Sequence, residues 1–136
     1  FLFYYSAEWS PSCQRLTPAL KKFYEEAKAA GANFEIVFVS RDDTGDAMLH
    51  YMVAQKMPWP AVRFDQLKQL NFLKQTAGRG VPCLVALDSH GLILAHSYRR
   101  GKKYLGPEPP LKEFIKLIGF DKAAPTDAPN TLARPR

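Results

Sequence analysis

Two short apolar runs, separated by a stretch with helical spacing, constrain this chain more than any other feature. Residues 1–5 are apolar and aromatic without interruption, and residues 34–40 carry Ile36, Val37, Phe38 and Val39 in succession. Runs this short, rich in β-branched and aromatic side chains, suit strands buried on both faces. Between them Leu16, Leu20, Phe23, Tyr24 and Ala27 recur at helical spacing, which predicts a helix over residues 13–30, closed by Gly31. Pro18 lies inside that helix, where it removes a backbone donor and should introduce a kink.

The remaining pattern extends this βαβ unit. Residues 42–46 read as a loop capping a helix that runs to about Met57. Pro58 and Pro60 around Trp59 then break the pattern, and residues 61–64 read as a short extended piece. A helical stretch over 66–76 and a turn over 78–82 follow. Residues 83–87 and 92–97 flank the turn residues Asp88, Ser89, His90 and Gly91, a hairpin signal. Pro109 and Pro110 suit the start of a last helix, 111–118, ended by Gly119. The order predicts an α/β fold: a mixed sheet with helices on both faces. A chain of 136 residues suits one domain. Residues 1–119 are assigned to it and 120–136 to a flexible tail, since from Ala123 onward there are three prolines and almost no large apolar side chain.

Composition narrows the function classes. With 46% hydrophobic and 24% charged residues the chain is neither disordered nor fibrous. No apolar run approaches the roughly 18 residues of a membrane span. The net charge of +6 is concentrated at Arg99, Arg100, Lys102 and Lys103, bracketed by Tyr98 and Tyr104. Such a cluster could hold phosphates, but a solvated turn is the commoner meaning, so nucleic acid is not the expected partner. His50, His90 and His96 lack metal-ligand spacing, and Cys13 and Cys83 are too few for a disulfide framework. Trp59, within a proline-rich segment, is expected in the core. The first strand opens at Phe1 without an initiator Met and is expected to be incomplete, which leaves the compartment undetermined.

The chemistry gathers where the first strand hands over to a helix, at Trp9, Ser10, Pro11, Ser12 and Cys13. A helix N-terminus directs unpaired amides and positive partial charge outward, so it favours an anion. Redox proteins place a thiolate there: in C-x-x-C the first sulfur attacks a disulfide and the second resolves the mixed disulfide. Here only the second sulfur, Cys13, is present.

On these residues the chain resembles the thioredoxin superfamily, and most closely its tryparedoxin and nucleoredoxin branch. The segment FYYSAEWSPSC (3–13) is similar to that branch's strand plus W-C-P-P-C motif, and Pro18 matches the kinking proline of its helix. NFEIVFVS (33–40), KMPWPAVRF (56–64) and the Gly80, Val81, Pro82 loop match further segments in the same order. The resemblance implies a three-layer α/β/α sandwich with a mixed central sheet and a cis proline at Pro82 facing the site. It implies thiol–disulfide exchange with a disulfide- or thiol-containing protein or a small thiol, and no metal, nucleotide or flavin cofactor. By the same resemblance position 10 attacks and Cys13 resolves, while Trp9, Pro11, Ser12, Val81 and Pro82 hold the substrate.

The departures bear on activity. Ser10 stands where the branch has its attacking cysteine, Ser12 replaces a common proline, and Cys83 follows the proline where Thr is frequent. An alcohol without a general base is not redox-active, so the ordinary dithiol cycle is absent. Two explanations of Ser10 stay open: a replacement introduced to silence a nucleophile, or a natural divergence, which the changes at Ser12 and Cys83 favour. Two functions follow, an altered or inactivated oxidoreductase and a non-catalytic interaction module. Cys83 is expected to be structural, with a sharper alternative in which it serves as a second thiol pairing with Cys13.

Overall fold

In the computed structural model, residues 1–99 and 103–120 are described. The two apolar runs form β1 (Leu2–Ser6) and β2 (Ile36–Ser40), joined through α1 (Pro11–Ala29). With β3 (Cys83–Leu87) and β4 (Ile93–His96) they make one sheet in the order β2-β1-β3-β4. β1 pairs parallel with β2 and antiparallel with β3, and β3 is antiparallel to β4, so the sheet is mixed. The outer edge of β2 is covered where Phe38 N–H donates to the Pro60 carbonyl and Val62 N–H to the Phe38 carbonyl.

Strand alternation divides the core in two. Leu2, Tyr4, Ile36, Phe38, Leu84 and Ala86 share one face with Leu20, Phe23 and Ala27 of α1. Met48 and Tyr51 of α2 (Gly45–Gln55) and Phe114 of α4 (Glu108–Leu117) join the same cluster. The opposite face carries Tyr5, Val39, Cys83, Val85 and Leu87, covered by Leu73 of α3 (Asn71–Thr76) and by Leu67. The result is the three-layer α/β/α arrangement expected from the element order. Trp59 is a core residue, packed edge-on against Tyr4 and Tyr24.

Several boundaries differ from the sequence expectation for physical reasons. α1 begins at Pro11, two residues earlier, because Ser10 is an extended N-cap and proline at the first helical position loses no hydrogen bond. α2 begins after its N-cap Thr44, which accepts the Ala47 N–H, and ends at a left-handed Lys56. The stretch expected as one helix over 66–76 is a 3-10 turn, Phe64–Gln66, and then α3. Leu67 and Leu73 both face the sheet, yet six residues along a continuous helix would leave them about 120° apart. α4 starts three residues early, at Glu108, its two prolines in the first turn where their missing N–H groups are free of cost. A small ladder, β5 (Tyr98–Arg99) with β6 (Lys103–Tyr104), had no forecast. Phe120, just past the boundary set at 119, packs edge-on against Phe23. The rest of the expected tail, and Arg100 and Lys102 of the basic cluster, lie outside the described residues.

Candidate functional site

Register brings the two halves of the site together. Tyr5 in β1 lies opposite Cys83 in β3, and the strands run antiparallel. The chain leaving β1 and the chain entering β3 therefore meet at the same end of the sheet. The first becomes the turn through Trp9 to Cys13, and the second is the loop over 78–82. The Val81–Pro82 peptide bond is cis, as the resemblance implies. Val81 packs against the cluster that contains Cys13 and also against the one that contains Cys83. Arg41, at the end of β2, clamps both pieces: its carbonyl accepts from Trp9 Nε1 at 3.4 Å and its Nη1 donates to the Gly78 carbonyl at 3.3 Å.

Within the turn the residues differ sharply in access. Trp9 is 62% exposed, and Pro11 and Ser12 are also open to solvent. Ser10 is only 6% exposed, because its Oγ turns inward to accept the Cys13 N–H at 3.3 Å. It thereby satisfies one orphan donor of the helix end, the usual task of an N-cap serine. Ser12 Oγ accepts from Arg15 Nη2 at 3.2 Å. Cys13 is fully buried, one turn inside.

A chain of hydroxyls fixes this first helical turn. The Cys13 carbonyl accepts from Thr17 Oγ1 at 2.9 Å and from the Tyr4 hydroxyl at 3.3 Å. Thr17 Oγ1 is in turn hydrogen-bonded to Tyr4 at 2.8 Å and to Tyr51 at 2.9 Å, and Tyr51 to Ser6 Oγ at 2.7 Å. Three elements, β1, α1 and α2, are pinned through one buried polar cluster, where every hydroxyl has a partner. Burial raises the Tyr4 and Tyr51 phenols above their ordinary range, so the cluster is neutral.

The two cysteines do not form a pair. Both are free and buried, but Cys13 belongs to the cluster on one face of the sheet and Cys83 to the cluster on the other. A bond between them would require one side chain to cross the sheet. Burial also pushes the Cys83 thiol up to about 11, only partly offset by the Gly78 N–H, Arg41 and Ser97. Cys83 is thus a protonated packing residue at neutral pH, which sets aside its role as second thiol.

Sequence reasoning missed the supports of the proline loop. Gly80 N–H donates to the Tyr98 hydroxyl at 2.8 Å, and the Tyr104 hydroxyl donates to the Pro82 carbonyl at 2.7 Å. The two rings pack together, centroids 5.0 Å apart, across the β5–β6 ladder. Pro82 was expected to offer backbone to a substrate; it is buried and its carbonyl is occupied by Tyr104. The Val81 backbone bonds to no described residue. The glycines at 78 and 80 were the available signal, for each leaves room for Tyr98. Burial, helped by Tyr98, Cys83 and Cys13, pushes the Tyr104 phenol up to about 12. On the far side of Trp9, Glu8 N–H donates to Asp42 at 3.0 Å and the Glu8 carboxylate pairs with His50. Among the described residues no group of three His, Cys, Asp or Glu side chains could hold a metal ion, and no helix is long and apolar enough to cross a membrane.

A family model of thioredoxin-like proteins matches residues 1–93. The chain belongs to that thioredoxin-like family. Within it, this thioredoxin-like chain is 37% identical over 97 residues to nucleoredoxin of Homo sapiens, covering 71% of the chain and 22% of that protein. It is 38% identical over 87 residues to tryparedoxin of Trypanosoma brucei brucei, covering 63% and 58%. The solved tryparedoxin from Trypanosoma brucei superposes with a TM-score of 0.62 at 35% identity, covering 70% of this chain and 65% of that one. Tryparedoxin II complexed with glutathionylspermidine gives 0.60 at 34%, covering 69% and 65%. The kinship is with thioredoxin-type redox proteins of the tryparedoxin and nucleoredoxin branch. The matched region spans 22% of the length of human nucleoredoxin.

Proposed function

We propose that this chain is a thioredoxin-type disulfide oxidoreductase domain whose own dithiol cycle is interrupted at Ser10, and which retains the surface that holds a thiol- or disulfide-containing partner. One observation carries the reading: Ser10 caps α1 with its Oγ on the Cys13 N–H, the place of the first sulfur in a C-x-x-C helix, while Cys13 behind it is fully buried. A serine there neither attacks a disulfide nor forms one with Cys13. A small thiol is a suitable partner as well as a protein, since the related tryparedoxin II was solved with glutathionylspermidine.

A second reading, a non-catalytic interaction module, draws on the exposure of Trp9 and the unpaired backbone of Val81, on two segments that Arg41 ties together. An exposed aromatic next to an open strand-like segment is a docking surface that works without a thiol. Insulin reduction by dithiothreitol, compared for this chain and Ser10→Cys, separates the two. In the variant the thiolate at position 10 attacks one insulin sulfur and releases the other. Cys13 then attacks the sulfur at position 10, closing the disulfide between positions 10 and 13 and freeing the client thiol, and dithiothreitol reduces that disulfide. Turnover by the variant alone supports the interrupted oxidoreductase; inertness of both leaves the interaction module.

A further inference from the structure

The turn and loop that carry Trp9 and Val81 also carry or touch three exposed arginines, two of them tied to these segments by hydrogen bonds. Arg15 reaches back along the first turn of α1 to Ser12 Oγ. Arg41 bonds the Gly78 carbonyl at the start of the proline loop, and its own carbonyl holds the Trp9 indole. Arg79 stands in the loop itself, exposed, and its side chain bonds to no described residue. All three are exposed, so Arg15 and Arg41 keep donors to spare beyond the single side-chain bond each makes, and Arg79 keeps all of its own.

The carboxylates beside them are largely committed. Glu8 is paired with His50, and Asp42 is buried and accepts the Glu8 N–H. Asp43, Asp46 and Glu108 are exposed acidic side chains on the segments that follow. The whole chain is positive, at +6. Positive groups around an open backbone segment steer and orient a partner of opposite sign.

We infer that the partner segment held at this face is acidic: an extended peptide with Asp or Glu on both sides of the residue that lies over Ser10. Val81 supplies main-chain pairing, Trp9 the apolar platform, and Arg15, Arg41 and Arg79 select for negative charge. Guanidinium groups suit this task because their fork binds a carboxylate through two donors. The inference rests on the partner-holding half of the proposed function and specifies its client.

The test needs no thiol chemistry, so its outcome is independent of insulin turnover. Three fluorescent peptides of equal length, each with S-methylcysteine at the centre and flanked by acidic, neutral or basic residues, are titrated with the chain by anisotropy. With three exposed charge pairs, the acidic peptide is expected to bind about tenfold more tightly than the neutral one, the basic peptide more weakly still. The preference should shrink as salt is raised. Arg79→Gln and Arg15→Gln should each lower it, and the double change should leave only the small part that Arg41 supplies, with the thermal melt unaltered. Equal binding of the three peptides, no binding of any, or a preference undiminished by the double change overturns the inference. Selective binding together with an inert Ser10→Cys would instead overturn the oxidoreductase reading and leave the acidic client standing.

Discussion

The ring of Tyr98 lies so close to Gly78 that a β-carbon built on the glycine would fall 2.2 Å from ring atoms Cδ1 and Cε1. The same tyrosine accepts the Gly80 N–H at 2.8 Å. One side chain, from a ladder beyond β4, thus holds both glycines of the loop that enters β3, and the position of Val81 depends on it.

Gly78→Ala is expected to destabilise the protein by about 1–3 kcal/mol, since the ring must move and its bond to Gly80 lengthens or breaks. Tyr98→Phe should cost about 1 kcal/mol, the bond alone. Urea unfolding of both variants checks the order, and equal losses would mean that the close approach is relieved elsewhere.

The hydroxyl cluster beneath Cys13 makes Thr17 sensitive to an isosteric change. Thr17→Val keeps the volume but removes the bonds to Tyr4, Tyr51 and the Cys13 carbonyl. The site is buried, so the unpaired partners find no water, and a loss of roughly 1–3 kcal/mol is expected in chemical denaturation.

The motif turn was legible because its chemistry is local, a proline after a serine cap and a helix start after a buried strand, while the cis proline was legible only through the resemblance of Gly80, Val81 and Pro82 to the family's loop. The tyrosine supports were not, because Tyr98 and Gly80 lie 18 residues apart and Tyr104 and Pro82 lie 22 apart. In sequence the two tyrosines only bracket a basic turn. The separation of Cys13 from Cys83 was half legible. Alternation along residues 83–87 puts Cys83 on the side opposite Leu84 and Ala86, but which side faces α1 depends on the pairing with β1. The break between Phe64–Gln66 and α3 is likewise a consequence of the sheet that Leu67 and Leu73 cover, a contact no local propensity records.

Alkaline pH should unfold this protein early. Burial pushes the phenols of Tyr5 and Tyr104 up to about 12, and that of Tyr4 higher, against an ordinary value near 10. Between those values the unfolded chain has lost phenolic protons that the folded chain retains, so stability present in full below pH 10 declines as pH rises toward 12. Tyr5, almost wholly buried, contributes on the order of 2–3 kcal/mol of that loss. Melting temperatures from pH 8 to 12, with phenolate absorbance recorded in parallel, should show titration and unfolding together.

Removing the cap tests what Ser10 does in the chain as it stands. Ser10→Ala deletes the acceptor for the Cys13 N–H and is expected to cost about 1 kcal/mol, with Ser10→Gly costing only a few tenths. Thermal melts of the two variants decide it; a loss equal to that of Thr17→Val would mean that the buried hydroxyl cluster also depends on the cap.

Opposite placement of the two cysteines leads to a clear division of labour once an attacking sulfur is supplied. In the Ser10→Cys background, Cys13→Ala should lose insulin turnover and, when the reduced variant is mixed with insulin after dithiothreitol has been removed, leave the client trapped as a mixed disulfide on position 10, because no second thiol stands behind it. Cys83→Ala in that background should leave turnover unchanged, since its side chain faces the other side of the sheet and its thiol, at about 11, stays protonated. Rates from the two double variants, with the trapped adduct measured by mass, check this. Turnover lost on removing Cys83 alone would mean that the β3 thiol reaches the site after all, by a movement of the Val81–Pro82 loop that the hydrogen bonds from Tyr98 and Tyr104 oppose.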